Sequence, residues 1–302
     1  MGFIRISPLP LVWALAWLLA LAAPSALPAQ TGFKLQISGR WVEGTPLVAN
    51  EKQVFLLARD GQMLEFAPAD AQSFSKTSGR FYAYSQAEMR GQLMREFGSK
   101  FEVSGNGHYL VVHPAGQKDM WAPRFEELYR SFVLYFNTRA FRPSEPQFPM
   151  VAIVYPRQAD FQRAALADGS KNVQNMLGYY SPKTNRIALF DVTAGRSGND
   201  WATNADTIIH EATHQMAFNA GMHNRFGQSP AWVCEGLATM FEAPGVWNGR
   251  VHHNLADRVN RIQLAAYRRC LPRRSANAIA ETVSSDKTFD KDTEAAYAEA
   301  WA

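Results

Sequence analysis

The stretch IIHEATHQMAF, residues 208–218, constrains this chain more than any other. An α-helix turns about 100° per residue, so His210 and His214 lie about 40° apart on one face, one turn from each other. Both imidazoles can then bind a single metal ion. Glu211 is rotated to one side, where it can act as general base on a metal-activated water without ligating the metal. The segment TNAD (203–206) supplies a helix start, with Thr203 as N-cap and Asp206 three residues on. His-Glu-x-x-His also arises by chance, so the motif alone does not decide between a catalytic helix and an ordinary one.

A catalytic zinc site takes three protein ligands and keeps a fourth position open for water. The third candidate is Glu235 in SPAWVCEGLATMFE (229–242), 21 positions after His214. Ser229 is a natural N-cap there and Pro230 a natural first helical residue. That places Glu235 in the second turn of a helix able to return against the histidines. Trp232, Val233, Leu237 and Phe241 mark this helix as largely buried, where an unpaired carboxylate would be costly.

The rest of the chain sets the context. Its 302 residues, 47% hydrophobic, suffice for one large domain or a medium domain with a small partner. Residues 1–29 have one early positive charge, Arg5, an apolar run from Leu11 to Ala23, and a small-residue end at Ala26 and Ala29. This is the layout of a secretory signal peptide cut after Ala29, and its apolar core falls short of the ~20 residues that span a bilayer. The expected location is therefore exported, periplasmic or secreted, with no membrane anchor after cleavage. Removing the segment lowers the formal charge from +4 only to +3, which argues against nucleic acid as a partner. The tightest basic cluster, YRRCLPRR (267–274), reads as a solvated helix end. An oxidising compartment permits a bridge between Cys234 and Cys270, and two buried thiols are the alternative.

Three regions follow the leader: a β-rich module over 30–76, a polar linker over 69–80 that overlaps its end, and a larger domain over 80–302. KLQISGRWVEG and QVFLLARDGQMLEFAP fit short strands with glycine turns. In the larger domain the pattern predicts helices over 85–97, 121–141 and 159–166. Two strands flank an Asn-Gly turn over 101–114, and further strands run over 150–156 and 185–191. Three more helices lie near 203–220, 229–243 and 255–270. Phe125, Leu128, Phe132 and Phe136 lie near one face of helix 121–141. The last residues, TEAAYAEAWA, form a helical pattern without a stop signal, which reads as an element cut short. The fold class is α+β.

HEATH followed by AWVCEGLATMFE resembles the gluzincin branch of the zinc metallopeptidases. It is most like a little-characterised bacterial family of exported, peptidase-like proteins, which GYYSPKTNRIALFD (178–191) and AYAEAW (296–301) also match. The resemblance covers about residues 80–302. It implies a zincin-like domain with a mixed sheet, zinc at His210, His214 and Glu235, and Glu211 as base. Tyr297 resembles a downstream tyrosine that stabilises the tetrahedral intermediate in gluzincin aminopeptidases; a core tyrosine is the other reading. Strand 186–190 would be the edge that pairs with extended substrate. One departure stands out. Thermolysin-like relatives have a carboxylate four residues after the glutamate ligand, supporting a histidine; here that position is Thr239, so the support must differ. Of the remaining histidines, His108 and His113 read as structural or exposed. His223 falls in the loop after the site helix, and His252 and His253 read as a solvated loop, with a proton donor near the cleft as the alternative.

The sequence thus points to a zinc-dependent peptidase acting on peptide or protein substrates. The alternatives are a non-catalytic metal-binding or scaffold protein whose β module binds a protein partner, and a zinc hydrolase of non-peptide substrates.

Overall fold

The computed structural model describes residues 31–117, 120–193 and 201–302, so the leader segment and its cut after Ala29 lie outside the described residues. The chain is α+β and divides into two compact units after Ser85.

The first unit is a five-stranded antiparallel sheet. Its strands are β1 (Thr31–Ile37), β2 (Arg40–Ala49), β3 (Val54–Ala58), β4 (Met63–Phe66) and β5 (Ala71–Arg80), in the order β4-β3-β2-β1-β5. The β1–β2 turn is made by Ser38 and Gly39, both at positive φ, the conformation that suits a two-residue hairpin between right-twisted strands. Phe33, Leu35 and Leu56 form its small core, with Phe74 stacked on Phe33. The polar stretch expected as a linker is therefore mostly strand: β5 pairs along β1 and contributes Phe74 to the core. Its hydroxyl-rich composition resembles a loop, but strand pairing and one aromatic anchor override local preference.

The second unit carries a mixed sheet. After α1 (Gln86–Phe97) come β6 (Phe101–Asn106), β7 (Tyr109–Pro114), α2 (Ala122–Asn137), β8 (Met150–Tyr155), α3 (Gln158–Ala167), β9 (Gly178–Ser181) and β10 (Arg186–Phe190). The strand order is β6-β7-β8-β10-β9, with β8 parallel to both β7 and β10 and the two outer pairs antiparallel. The run Val151 to Val154 is buried throughout, as a central parallel strand requires. Phe125, Leu128, Phe132 and Phe136 of α2 are all buried, as their spacing predicts.

Helices complete the unit: α4 (Trp201–Asn219), α5 (Ala231–Phe241), α6 (Pro244–Trp247), α7 (Arg261–Cys270), α8 (Ala278–Ser284), α9 (Lys287–Lys291) and α10 (Thr293–Trp301). Two predicted helix starts need correction. Because α4 already includes Trp201, positions 203 and 206 lie inside it rather than at its start. Ser229 does not cap α5 either: its Oγ accepts the Asn224 N–H at 3.1 Å and closes the preceding loop. The N–H of Ala231 is satisfied instead by Asp286 Oδ1 at 2.8 Å, a partner 55 residues away. The basic cluster ties α7 to the C-terminal segment, with Arg269, Arg273 and Arg274 paired to Glu294, Asp292 and Glu299. Among the described residues no helix is long and apolar enough to cross a membrane.

Candidate metal centre

Helix α4 is fixed before it presents any ligand. Gln215, buried, donates through Nε2 to the carbonyls of Val151 on β8 (3.1 Å) and Asn185 (2.9 Å). Asn185 occupies the β9–β10 turn at φ +59°, a left-handed conformation that asparagine tolerates better than most residues. Its side chain pairs with Asn219 on α4 at 3.0 and 2.7 Å and accepts the Tyr180 hydroxyl at 2.8 Å. The β9–β10 hairpin and the site helix are thus one polar-bonded assembly over an apolar core.

On the other face of α4 the three predicted ligands converge. His210 Nε2 lies 3.1 Å from His214 Nε2 and 3.2 Å from Glu235 Oε2, and His214 Nε2 lies 3.4 Å from that same oxygen. Tetrahedral zinc with bonds of about 2.0–2.1 Å sets its ligand atoms about 3.3–3.4 Å apart, so the spacing fits. The donor chemistry fits as well. His210 Nδ1 sits 2.7 Å from Glu242 Oε1, so the ring donates there and leaves Nε2 as a lone pair. A lone pair facing a carboxylate oxygen and a second imidazole at 3.1–3.2 Å is repulsive unless a proton or a cation lies between them.

The protonation tendencies agree. Burial opposes charge on His210, but the bonds to Glu235 and Glu242 outweigh it and raise its pKa well above the ordinary value. Burial likewise opposes charge on Glu235, and the two imidazoles overcome it and hold the carboxyl far below its usual range.

Glu242 is the functional residue that sequence reasoning missed. Thr239, at the position where relatives carry the supporting carboxylate, turns its hydroxyl back to the Glu235 carbonyl at 2.7 Å. Glu242 supplies the carboxylate from one turn further along, seven residues after Glu235 and so on the same helical face. Its other oxygen accepts Asn260 Nδ2 at 2.6 Å. Asn260 also donates to the Thr239 carbonyl at 2.8 Å and caps α7 through Ile262 and Gln263. The i, i+7 spacing was readable; the Asn260 partner, brought from another helix, was not.

Glu211 and Tyr297 also reach the centre. Burial pushes the Glu211 carboxyl above its ordinary value, while His210, His214 and a bond from the Tyr180 backbone N–H pull it back. The Tyr297 ring stacks 6.2 Å from His210 and its hydroxyl bonds Glu235, with burial and then the Glu235 charge raising its pKa strongly. Helix α10 comes this close because residue 236 is glycine: an added Cβ would meet the Ala300 carbonyl oxygen at 2.3 Å.

Strand 186–190, expected as the free substrate edge, is interior, since β10 lies between β8 and β9. The edge strand is β9. Phe190 N–H bonds the Leu177 carbonyl, so by antiparallel alternation the backbone groups of Gly178 and Tyr180 point to the open edge. Gly178 lies against the site helix, where an added Cβ would stand 3.3 Å from Glu211 Cγ and 2.8 Å from Thr207 Cγ2.

The remaining candidates lie elsewhere. His108 bonds Glu126 and Glu145, His113 is buried against the Pro114 carbonyl, and His253 bonds the Gly249 carbonyl in an exposed loop. His223 is buried edge-on to Phe218, and burial holds its pKa below the ordinary value. Cys234 and Cys270 are free, buried thiols, so the bridge is not formed.

A family model described as "Protein of unknown function (DUF1570)" matches residues 204–302, a span that includes His210, Glu211, His214, Glu235, Glu242 and Tyr297. No curated protein and no solved structure matches the chain.

Proposed function

We propose that the chain is a zinc-dependent peptidase of the gluzincin type, exported from the cell, with His210, His214 and Glu235 as metal ligands. The observation that carries this reading is the mutual spacing of 3.1–3.4 Å among three donor atoms, beside a buried carboxylate, Glu211, that is not one of the three. Three protein ligands leave a coordination position open, the arrangement of catalytic rather than structural sites. A bound zinc ion supplies Lewis-acid chemistry: it acidifies water and polarises a carbonyl.

The protein's own groups divide the remaining work. Glu211 accepts the proton of the attacking water, and its raised pKa brings it closer to the range that suits a base and later a proton donor. Tyr297, kept neutral by burial and by Glu235, has a hydroxyl that would turn from Glu235 to donate to a developing oxyanion. The outward backbone groups of Gly178 and the carbonyl of Tyr180, whose N–H is bonded to Glu211, offer an extended peptide a strand to pair with. Glu242 and Asn260 hold the tautomer and angle of His210.

The test is metal analysis of the purified protein combined with a peptide-library cleavage assay, with and without chelator. One equivalent of zinc and chelator-sensitive cleavage are expected. Zinc-loaded protein that ignores every peptide but hydrolyses an ester would assign the same centre to non-peptide substrates. Protein that binds no metal would end the reading.

A further inference from the structure

A second concave surface lies on the same unit, between α2 and the segment that follows α5. It is a groove of about 780 Å³ with four arginines in its lining: Arg130, Arg139, Arg250 and Arg258. Tyr135 and Trp247 add aromatic surface to the lining. The arginines are exposed, and among the described residues no ion pair holds Arg250 or Arg258. Arg139 is fixed over the Tyr135 ring, 3.6 Å from its centroid, with Nη1 donating to the Tyr135 carbonyl at 2.8 Å. That carbonyl does not neutralise the guanidinium.

The wall carrying Arg250 and Arg258 is held at both ends. Glu242 precedes it and Asn260 follows it, and these two residues bond each other at 2.6 Å. At its centre Gly245 lets the chain close on itself, since an added Cβ would stand 2.9 Å from Arg258 N and 2.8 Å from Asp257 C. A braced wall with cations at its rim loses little freedom on binding.

We infer that this groove binds an acidic segment of polypeptide. Guanidinium groups match carboxylates in shape and charge, and aromatic faces stack on side chains or on further guanidiniums. The rest of the lining selects against a nucleic-acid strand. Leu134, 46% exposed, offers an apolar contact that such a strand leaves unused, while Glu126 is buried and already bonded to His108 and Arg130. A peptide that alternates carboxylates with apolar side chains satisfies both features. The site is separate from the metal ligands, so it concerns which chains are held rather than which bond is cut.

The test measures binding, so its result is independent of hydrolysis. A fluorescein-labelled octapeptide of glutamate and leucine is titrated with the full chain by fluorescence anisotropy, beside a lysine–leucine octapeptide and a single-stranded oligothymidine. The acidic peptide should bind best, and more weakly as salt rises. The double variant Arg250→Glu/Arg258→Glu should loosen it about ten-fold or more, because attraction becomes repulsion at two contacts. Arg40→Glu/Lys52→Glu makes the same change in net charge on exposed residues of the first unit and should leave affinity within about two-fold. Circular dichroism confirms that each variant is folded. Equal loss in both doubles, no preference for the acidic peptide, or tighter binding of the oligothymidine would overturn the inference.

Discussion

Two clusters in the second unit use the same residue types to opposite ends. In one, His210 and His214 meet Glu235 and Glu242. In the other, His108 meets Glu126 and Glu145, with Arg130 beside them. The second is closed. Its imidazole has a carboxylate on each nitrogen, and Glu126 also accepts the His108 backbone N–H at 2.8 Å and Arg130 Nε at 3.2 Å. Every proton has an acceptor and nothing faces inward. The first cluster is closed only at its back, where Glu242 meets Nδ1 of His210; in front, His210 Nε2, His214 Nε2 and Glu235 Oε2 face one another. The presence of histidine and carboxylate therefore says little. What marks a candidate metal centre is whether two ring nitrogens and a carboxylate oxygen converge on one point.

The comparison can be broken most sharply by removing one histidine from each cluster. His214→Ala should reduce bound zinc from one equivalent to near zero, because two remaining ligands hold the ion poorly. His108→Ala should leave zinc content unchanged. Elemental analysis after dialysis reads both; equal losses would mean that the open cluster is not the metal centre. Glu211→Gln separates binding from chemistry within that cluster. Metal content should stay near wild type while turnover falls by about 10² or more, as for loss of a general base.

The back of the open cluster is the next place to test. Glu242→Gln replaces an acceptor of the His210 proton with a neutral amide, and Asn260→Ala removes the group that positions it. Changes to such supporting groups cost about 10–100-fold in metal affinity. Competition against a chromogenic chelator should show that loss for Glu242→Gln and a smaller one for Asn260→Ala. Thr239→Val should leave affinity within a few-fold, since its hydroxyl serves only helix carbonyls. A larger effect at Thr239 than at Glu242 would reverse the assignment of the supporting carboxylate.

Much of this was readable in the chain because it is local. The i, i+4 histidines and the α2 phenylalanines each follow from one helix's periodicity, and the i, i+7 relation of Glu242 to Glu235, equally local, was overlooked. What failed was non-local. Ser229 looked like a cap, but Asp286, 55 positions from the Ala231 N–H that it accepts, took that role. Residues 71–80 looked like a linker until their pairing partner, β1, was known. Strand 186–190 was read correctly as a strand and wrongly as an edge, because the sheet order decides which strand is outermost. Tyr297 shows the same limit in reverse. Its approach to His210 depends on glycine at 236, a residue whose meaning appears only when α10 lies against it. The polar centre was legible where one helix carries it and hidden where two must meet.

The closed cluster should behave as structure alone, and its two carboxylates should differ in degree. Glu126 is 3% exposed and satisfies the His108 N–H at the tip of the β6–β7 turn. It packs closely on Gly107, at φ +53°, so a side chain there would be strained and would displace the Glu126 carboxylate. Glu126→Ala leaves that N–H and the His108 ring without their buried acceptor, which costs about 1–3 kcal/mol. Glu145, with a side chain 75% exposed, completes the far nitrogen and also bonds the Tyr129 hydroxyl. Water can replace it, so Glu145→Gln should cost no more than about 1 kcal/mol. Urea denaturation of the zinc-loaded protein reads both values, provided the slope of the transition is unchanged between variants. Neither substitution should alter zinc stoichiometry, and that separates this cluster from the other. If Glu145→Gln destabilised the fold more than Glu126→Ala, the network would be held from its exposed end, and burial would not be what ranks its bonds.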